Sequence, residues 1–211
     1  MNWYKKSNYD NNLYESIKNK TKWKDREALR LNPYRKSRDS FYQRGKFVNE
    51  YSWAIPEETA IKKIKSFVKG RNVLEIGSGL GLWAKLMQNA GIHVTPTEPL
   101  SMPKKDKGDF YGKKEPYTKM NDMDINKAME QFGSSNDVLM LIWPPYNDPL
   151  ANNALKSFKG SSLIYIGEGS YGCTGDDNFH CALDNEWEEV EEVDIPQWAG
   201  LHDRMYFYNR K

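Results

Sequence analysis

Val73-Leu74-Glu75-Ile76-Gly77-Ser78-Gly79-Leu80-Gly81-Leu82-Trp83 sets a glycine at every second position after a short strand-like run. Such a run, stopped by glycines and followed by "LWAKLMQNA", predicts a strand that turns sharply into a helix. Glycine allows a positive φ and lets another group approach the backbone closely. The start of the helix adds free N–H groups. Together these features describe a cradle for a nucleotide-like ligand at the end of the first strand.

Strand and helix alternate outward from this turn. Upstream, "SWAIPEETAIKKIKSFVKG" has Pro56 where a first helical residue would sit and Glu57 and Glu58 in the first turn. Ile61, Ile64 and Val68 follow at helical spacing, with Gly70 as the stop. Downstream, Gly91 closes the helix after the glycine turn, and "IHVTPTE" reads as a second strand. "SMPKKDKGDFYGKKEPYTKM" is loop-like and "INKAMEQF" helical. "DVLMLIW" is a continuous apolar run suited to a strand buried on both faces. A helix through "DPLANNALKSF" ends at Gly160, and "SSLIYIGEG" is another buried strand. "WEEVEEVDIP" and "RMYFYNR" read as a closing pair of strands. The alternation means an α/β fold, a parallel sheet covered by helices on both faces.

Composition bounds the rest. A chain of 211 residues fits one domain with an appendage, and 38% hydrophobic content is enough to build a core. The net charge of +2 is too small to argue for nucleic acid by itself. Its distribution is uneven, however: residues 1–50 hold 13 Lys/Arg against 6 Asp/Glu, and the remainder holds 18 against 23. That asymmetry points to an acidic partner at the basic, Asn- and Tyr-rich N-terminal end, where a helix is expected around Leu13–Leu31. A solvated arm with incidental Lys and Arg is the alternative. Two cysteines, a polar opening and no apolar run near the ~20 residues of a membrane span predict a soluble protein. A reducing compartment, the cytoplasm, is the expected location.

The dinucleotide fingerprint G-x-G-x-x-G/A does not fit. The third glycine falls one residue early, and bulky Leu82 sits where close packing wants Gly or Ala. A nicotinamide-dependent oxidoreductase is therefore the weaker reading. Glu75-x-Gly77-x-Gly79-x-Gly81 instead resembles the motif of class I S-adenosylmethionine-dependent methyltransferases, and the resemblance runs from about Tyr51 to the C-terminus. It implies a Rossmann-like, doubly wound, mostly parallel seven-stranded sheet over residues 49–211. Residues 1–48 would be a basic, aromatic extension. It also implies S-adenosyl-L-methionine as cofactor, its methionine part facing the glycines. An acidic residue ending the second strand would meet the ribose hydroxyls. Glu98, 17 residues after Gly81, fits that role, as an acceptor-only group facing two donors. An acidic residue after the third strand would stand near the adenine. Asp122 is preferred for this and Asp124 for capping the helix that starts near Ile125, though either residue could do either. Trp53, Glu75 and Trp83 complete the cofactor-side candidates, with Tyr51 and Trp53 either lining the pocket or pinning the extension to the core.

The fourth strand ends in "LIWPPYNDP". In amino-methylating members of the family this position carries Asn or Asp, then Pro-Pro and an aromatic. Pro144, Pro145 and Tyr146 match, and Trp143 does not. Trp143 lacks the polar side chain that would orient an amine, offering an apolar wall or a cation–π face instead. Consecutive prolines also make a rigid turn for purely structural reasons. "IGEGSYGCTGDDNFHCAL" and "PQWAGLHDRM" carry Glu168, His180, His202 and Asp203 on loops expected at the same strand ends. The segments "WAIP", "WPPY", "GEG…GCTGD…FH" and "PQW…HD" also resemble a group of methyltransferase-like proteins, which supports reading them as one site and names no substrate.

His202 beside Asp203 is expected as an oriented base, the carboxylate holding one ring nitrogen. Two packing histidines are the plain alternative. The Cys173, His180, Cys181 and His202 spacing matches no zinc pattern, so no metal is expected. The acceptor-side candidates are thus Trp143, Pro144, Tyr146, Glu168, His202 and Asp203. Two function classes follow. One is a methyltransferase acting on an unidentified acceptor, with a nitrogen of a nucleic-acid base the candidate through Tyr146 and the basic extension. The other is an inactive methyltransferase-like binding module for nucleic acid or a protein.

Overall fold

The computed structural model describes residues 15–17, 39–101, 115–198 and 200–211. Most of the helix expected around Leu13–Leu31 lies outside them, although residues 15–17 are helical and Ile17 is buried. The helices are α1 (Asp39–Glu50), α2 (Glu58–Val68), α3 (Leu82–Asn89), α4 (Ile125–Phe132), α5 (Leu150–Ser157) and α6 (Asp177–Glu186). The strands are β1 (Val73–Ile76), β2 (Val94–Glu98), β3 (Asn121–Asp122), β4 (Val138–Ile142), β5 (Ser162–Gly167), β6 (Trp187–Asp194) and β7 (Arg204–Arg210). They form one seven-stranded sheet in the order β3-β2-β1-β4-β5-β7-β6. Pairing is parallel from β3 through β5, and β7 runs antiparallel to both β5 and β6.

The sheet has two dry faces because its central strands alternate what they send to each. Val73, Met140, Ile164, Ile166, Met205 and Phe207 pack in one cluster with Phe47 and Tyr51, the α2 residues Ile61 and Ile64, and Leu86. Leu74, Leu139, Leu141, Leu163, Tyr165 and Tyr208 pack on the other with Ala128, Leu155, Phe179 and Leu183. Burying both faces is why β4 and β5 read as continuous apolar runs, while β1 is apolar apart from buried Glu75. On α2 the buried set is Ala60, Ile61, Ile64 and Val68, and each of the larger three contributes on the order of 2 kcal/mol.

Three local departures from the sequence expectation have physical causes. Helix α2 begins at Glu58 rather than Pro56, and Glu57 is its extended N-cap. Ala54, Ile55, Pro56 and Glu57 are all buried, and the Ala54 carbonyl accepts the Trp83 indole N–H at 3.3 Å. The chain must stay extended to reach that depth, which delays the helix. Helix α6 arises inside what reads as a glycine-rich loop. Asp176 caps it by accepting from the Phe179 N–H at 2.8 Å, and Phe179, Ala182 and Leu183 are its buried stripe. Helix α1 crosses residues 48–49 and sinks Phe47, Val48 and the following Tyr51 into the core. Among the described residues, no helix is long and apolar enough to cross a membrane.

Candidate functional site

The glycine turn is stapled to the second strand. Gly77 and Ser78 both donate to the Thr97 carbonyl, at 3.1 and 3.0 Å, and Ser78 Oγ accepts from the Thr97 N–H at 3.1 Å. Gly77 has φ +72°, and a Cβ there would meet nothing within 4 Å, so its backbone faces open space. Gly81 also has φ +72°, but a Cβ there would sit 2.6 Å from Met120 Sδ. One glycine therefore leaves an opening, and the other, favoured by its conformation, lies against the Met120 and Thr118 side chains.

Two carboxylates stand on the lip beside this opening. Glu98 and Asp122 are paired neighbours at the C-terminal ends of β2 and β3. Glu98 Oε2 accepts from the Gly79 N–H at 2.9 Å, which ties the strand end to the turn. Asp122 accepts from the Ser101 N–H at 3.0 Å and from its hydroxyl. Asp124 caps α4 through the Lys127 N–H at 3.1 Å. Glu75 lies beneath the turn, buried, with Oε2 lacking a hydrogen-bond partner. Burial, joined by the charge of Glu98 and opposed by Ser78, pushes its carboxyl up to about 8. Trp83 is buried in the core, its indole N–H on Ala54.

A second cluster forms where β4, β5 and β7 meet α1. Trp143 continues the sheet by donating its N–H to the Ile166 carbonyl at 2.7 Å, then turns with φ +51°, a left-handed conformation that costs a bulky residue. Its ring stacks on Trp53, with centroids 4.9 Å apart and planes 11° apart. The Arg44 guanidinium lies 5.1 Å from the Trp53 ring and 5.2 Å from the Trp143 ring. Pro144 and Asn147 are stitched to the loop after β5 through the N–H and carbonyl of Gly175, at 3.1 and 2.8 Å. Tyr146 stands beyond them, 70% exposed.

Glu168 ties two loops together. Its Oε2 accepts from the Cys173 N–H and its Oε1 from the His202 N–H, both at 2.8 Å. Burial opposes ionisation, but these bonds outweigh it and hold the carboxyl below its ordinary range. Thr174 and Tyr165 buttress the arrangement: Thr174 Oγ1 accepts from the Glu168 N–H at 2.9 Å and lies 2.6 Å from the Tyr165 hydroxyl. His180 is a half-buried residue whose Nε2 lies 2.8 Å from the Thr174 carbonyl.

His202 and Asp203 do not form the expected dyad. Neighbours entering a strand point to opposite sides. The His202 side chain is exposed, and its Nδ1 lies 3.5 Å from Glu168 Oε1 instead. Asp203 turns inward, fully buried, and neither carboxylate oxygen has a hydrogen-bond partner. Burial pushes it up to about 7; Glu168 adds to this, while the nearby Trp143 indole and Arg44 oppose it. The Trp143 indole N–H and Arg44 Nε are also buried without partners. Among the described residues, no group of three or more His, Cys, Asp or Glu is placed to hold a metal ion. Arg44 escaped the sequence reading because a basic residue in a polar arm carries no local mark of burial; Thr174 and Tyr165 escaped because their roles depend on contacts across the loop.

No family model matches the chain, and no curated protein does. Solved structures do. Magnesium protoporphyrin IX methyltransferase from Synechocystis PCC 6803, with SAM bound, aligns over 96% of this chain and 97% of its own, at 16% identity and a TM-score of 0.51. A mutant of MtNAS in complex with S-adenosylmethionine aligns over 96% and 75%, at 14% identity and a TM-score of 0.50. With the sheet order and the single reversed strand, these likenesses settle the architecture. The fold is that of class I methyltransferases. On this methyltransferase fold, the glycine turn, Glu98 and Asp122 share the β1–β2–β3 end of the sheet. Trp143, Glu168, His202 and Asp203 share the β4–β5–β7 end, with Trp53 and Arg44 leaning in from the N-terminal side.

Proposed function

We propose that the chain is an S-adenosylmethionine-dependent methyltransferase whose acceptor offers a nitrogen, with a nucleic-acid base as the candidate. The observation that carries this reading is Glu98, held by the Gly79 N–H beside a turn whose Gly77 faces open space. A carboxylate next to exposed glycine backbone suits a ligand that has hydroxyl donors and needs close approach. Two structures with the same fold have S-adenosylmethionine bound, which supports this cofactor here. Glu98 would meet the ribose hydroxyls, Asp122 the adenine side, and Gly77, Gly79 and Gly81 the methionine part. Trp53, Glu75 and Trp83 would back this half of the pocket. The cofactor supplies a methyl group on a sulfonium, already electrophilic.

This chain's residues would then act mainly by alignment and exclusion of water. Trp143 and Pro144 wall the acceptor side, and exposed Tyr146 offers a ring for stacking. Glu168 holds the two flanking loops together, with His202 at their rim. The basic segment 1–48 would contribute phosphate contacts, which fall away with salt. A second reading, an inactive binding module, is favoured by one observation: Trp143 replaces the polar residue at the head of the Pro-Pro-Tyr turn, and its ring is already packed on Trp53.

A thermal melt with S-adenosylhomocysteine, and NAD as comparison, tests the proposal. Ligand at ~100 times its dissociation constant adds about 2.7 kcal/mol, which for a domain this size raises the midpoint by roughly 5–11 °C. A shift with S-adenosylhomocysteine alone is expected. A shift with neither at millimolar ligand would hand the lead to the binding module.

A further inference from the structure

We propose that Asp203 receives the acceptor's N–H, supplying from the β7 side the hydrogen-bond acceptor that Trp143 lacks. The inference rests on the methyltransferase reading above and narrows the acceptor to a planar ring bearing an exocyclic amine beside a ring nitrogen. Adenine and cytosine present that edge.

Buried polar groups in proteins are nearly always paired, so a cluster of unpaired ones of both kinds points to a missing partner. Here the two Asp203 oxygens need donors, while the Trp143 indole N–H and Arg44 Nε need acceptors. The three residues come from the approach to β7, the end of β4 and α1, so no local turn explains their meeting. The Trp143 indole faces Asp203 as a hydrogen-bonding neighbour and Arg44 acts on it by charge, yet the indole N–H and the carboxylate stop short of a closed hydrogen bond. An ammonium group would satisfy Asp203 alone, and a carboxylate only Trp143 and Arg44. An amine beside a ring nitrogen answers both sets. The Trp53–Trp143 stack and exposed Tyr146 offer aromatic surface to a planar group of this kind.

The other ionisable groups near Asp203 are Glu168 and Cys173 after β5, Tyr165 on β5 and Tyr206 on β7, so Arg44 is the cation that acts on it. Asp203 is closed off from solvent, so the amine reaches it only when the side chains around it move apart. In the transfer, the amine lone pair forms the N–C bond and the C–S electron pair stays on sulfur. The proton shed by nitrogen passes to the Asp203 carboxylate. Burial pushes that carboxyl up to about 7, which suits a group that must take a proton and later give it up.

The test uses full-length protein saturated with S-adenosylhomocysteine. Binding is measured by fluorescence anisotropy to short single strands carrying one adenine or one N6,N6-dimethyladenine, and likewise cytosine or N4,N4-dimethylcytosine. One amine base is expected to bind about tenfold more tightly than its dimethylated form, the size of a single well-placed hydrogen bond. Asp203→Leu, which keeps the bulk and removes both acceptor oxygens, should bring that ratio to within about twofold while S-adenosylhomocysteine affinity holds; Asp203→Ala gives a second read if the first variant does not fold. A wild type that binds amine and dimethylamine strands equally overturns the proposal, as does a variant that keeps the ratio. Failure of S-adenosylhomocysteine itself to bind would sink the methyltransferase reading instead, and the titration that precedes each measurement reports it separately.

Discussion

The two ends of the sheet that make up the site are built differently. At the β1–β2–β3 end the positive-φ positions of the turn are glycines, and the lip carboxylates Glu98 and Asp122 are held by backbone N–H groups of Gly79 and Ser101. At the β4–β5–β7 end, Trp143, Asn147 and Tyr171 adopt positive φ without being glycine. There Asp203, Trp143 and Arg44 leave buried polar atoms unpaired. Glu75 is the exception at the first end, one buried carboxyl with an unpaired oxygen. Specificity for an acceptor is therefore expected at the second end. Strain and unpaired groups persist only where the surroundings hold them, and they gather at sites that act on a ligand. On the proposal above, the first end is finished before a ligand arrives and the second is completed by one.

A single substitution at Glu98 tests the first end directly. Glu98→Ala should weaken S-adenosylhomocysteine binding at least ~100-fold, as loss of a charged acceptor facing two hydroxyls implies, with the circular dichroism spectrum unchanged. Calorimetric affinity equal to wild type would remove Glu98 from the site.

A second measurement sharpens the one feature both ends share. Glu75 and Asp203 are held well above ordinary carboxyl values, to about 8 and about 7. A raised folded-state value means the native chain binds the extra proton between the unfolded and folded values. Stability should therefore fall as pH rises from about 4, levelling near 7 for Asp203 and near 8 for Glu75. Each contributes on the order of 4 kcal/mol over its window. Denaturant midpoints across this range should decline for wild type, and Glu75→Gln and Asp203→Asn should each flatten part of the slope. A flat wild-type profile would show that neither carboxyl is held as described.

The smallest expected effect concerns the aromatic stack. Trp53→Ala removes the partner ring of Trp143 and one face of the Arg44 contact. A cost of about 2 kcal/mol is expected from stacking, cation–π attraction and lost burial. Urea denaturation reads this directly. A loss under ~0.5 kcal/mol would mean that the stack does not hold the second end together.

The first end was legible in the sequence because its signals are local. Gly77, Gly79 and Gly81 are spaced by the turn itself, Glu98 closes the second strand, and the helical period of α2 and the unbroken apolar runs of β4 and β5 mark those elements. Pattern and punctuation within a dozen residues determined the α/β class, the glycine turn and the neighbouring carboxylate. Tertiary structure decided the second end. Trp53, Trp143, Glu168 and Asp203 stood out in the sequence as candidates, but Arg44 reads there as an ordinary basic position, and which of these residues meet was set only by the fold. Even His202 and Asp203, adjacent in sequence, part company at the approach to β7: one faces solvent beside Glu168 and the other enters the core. The physical reason is that backbone conformation answers to near neighbours. Burial and unpaired charge exist only once distant strands have brought their ends together.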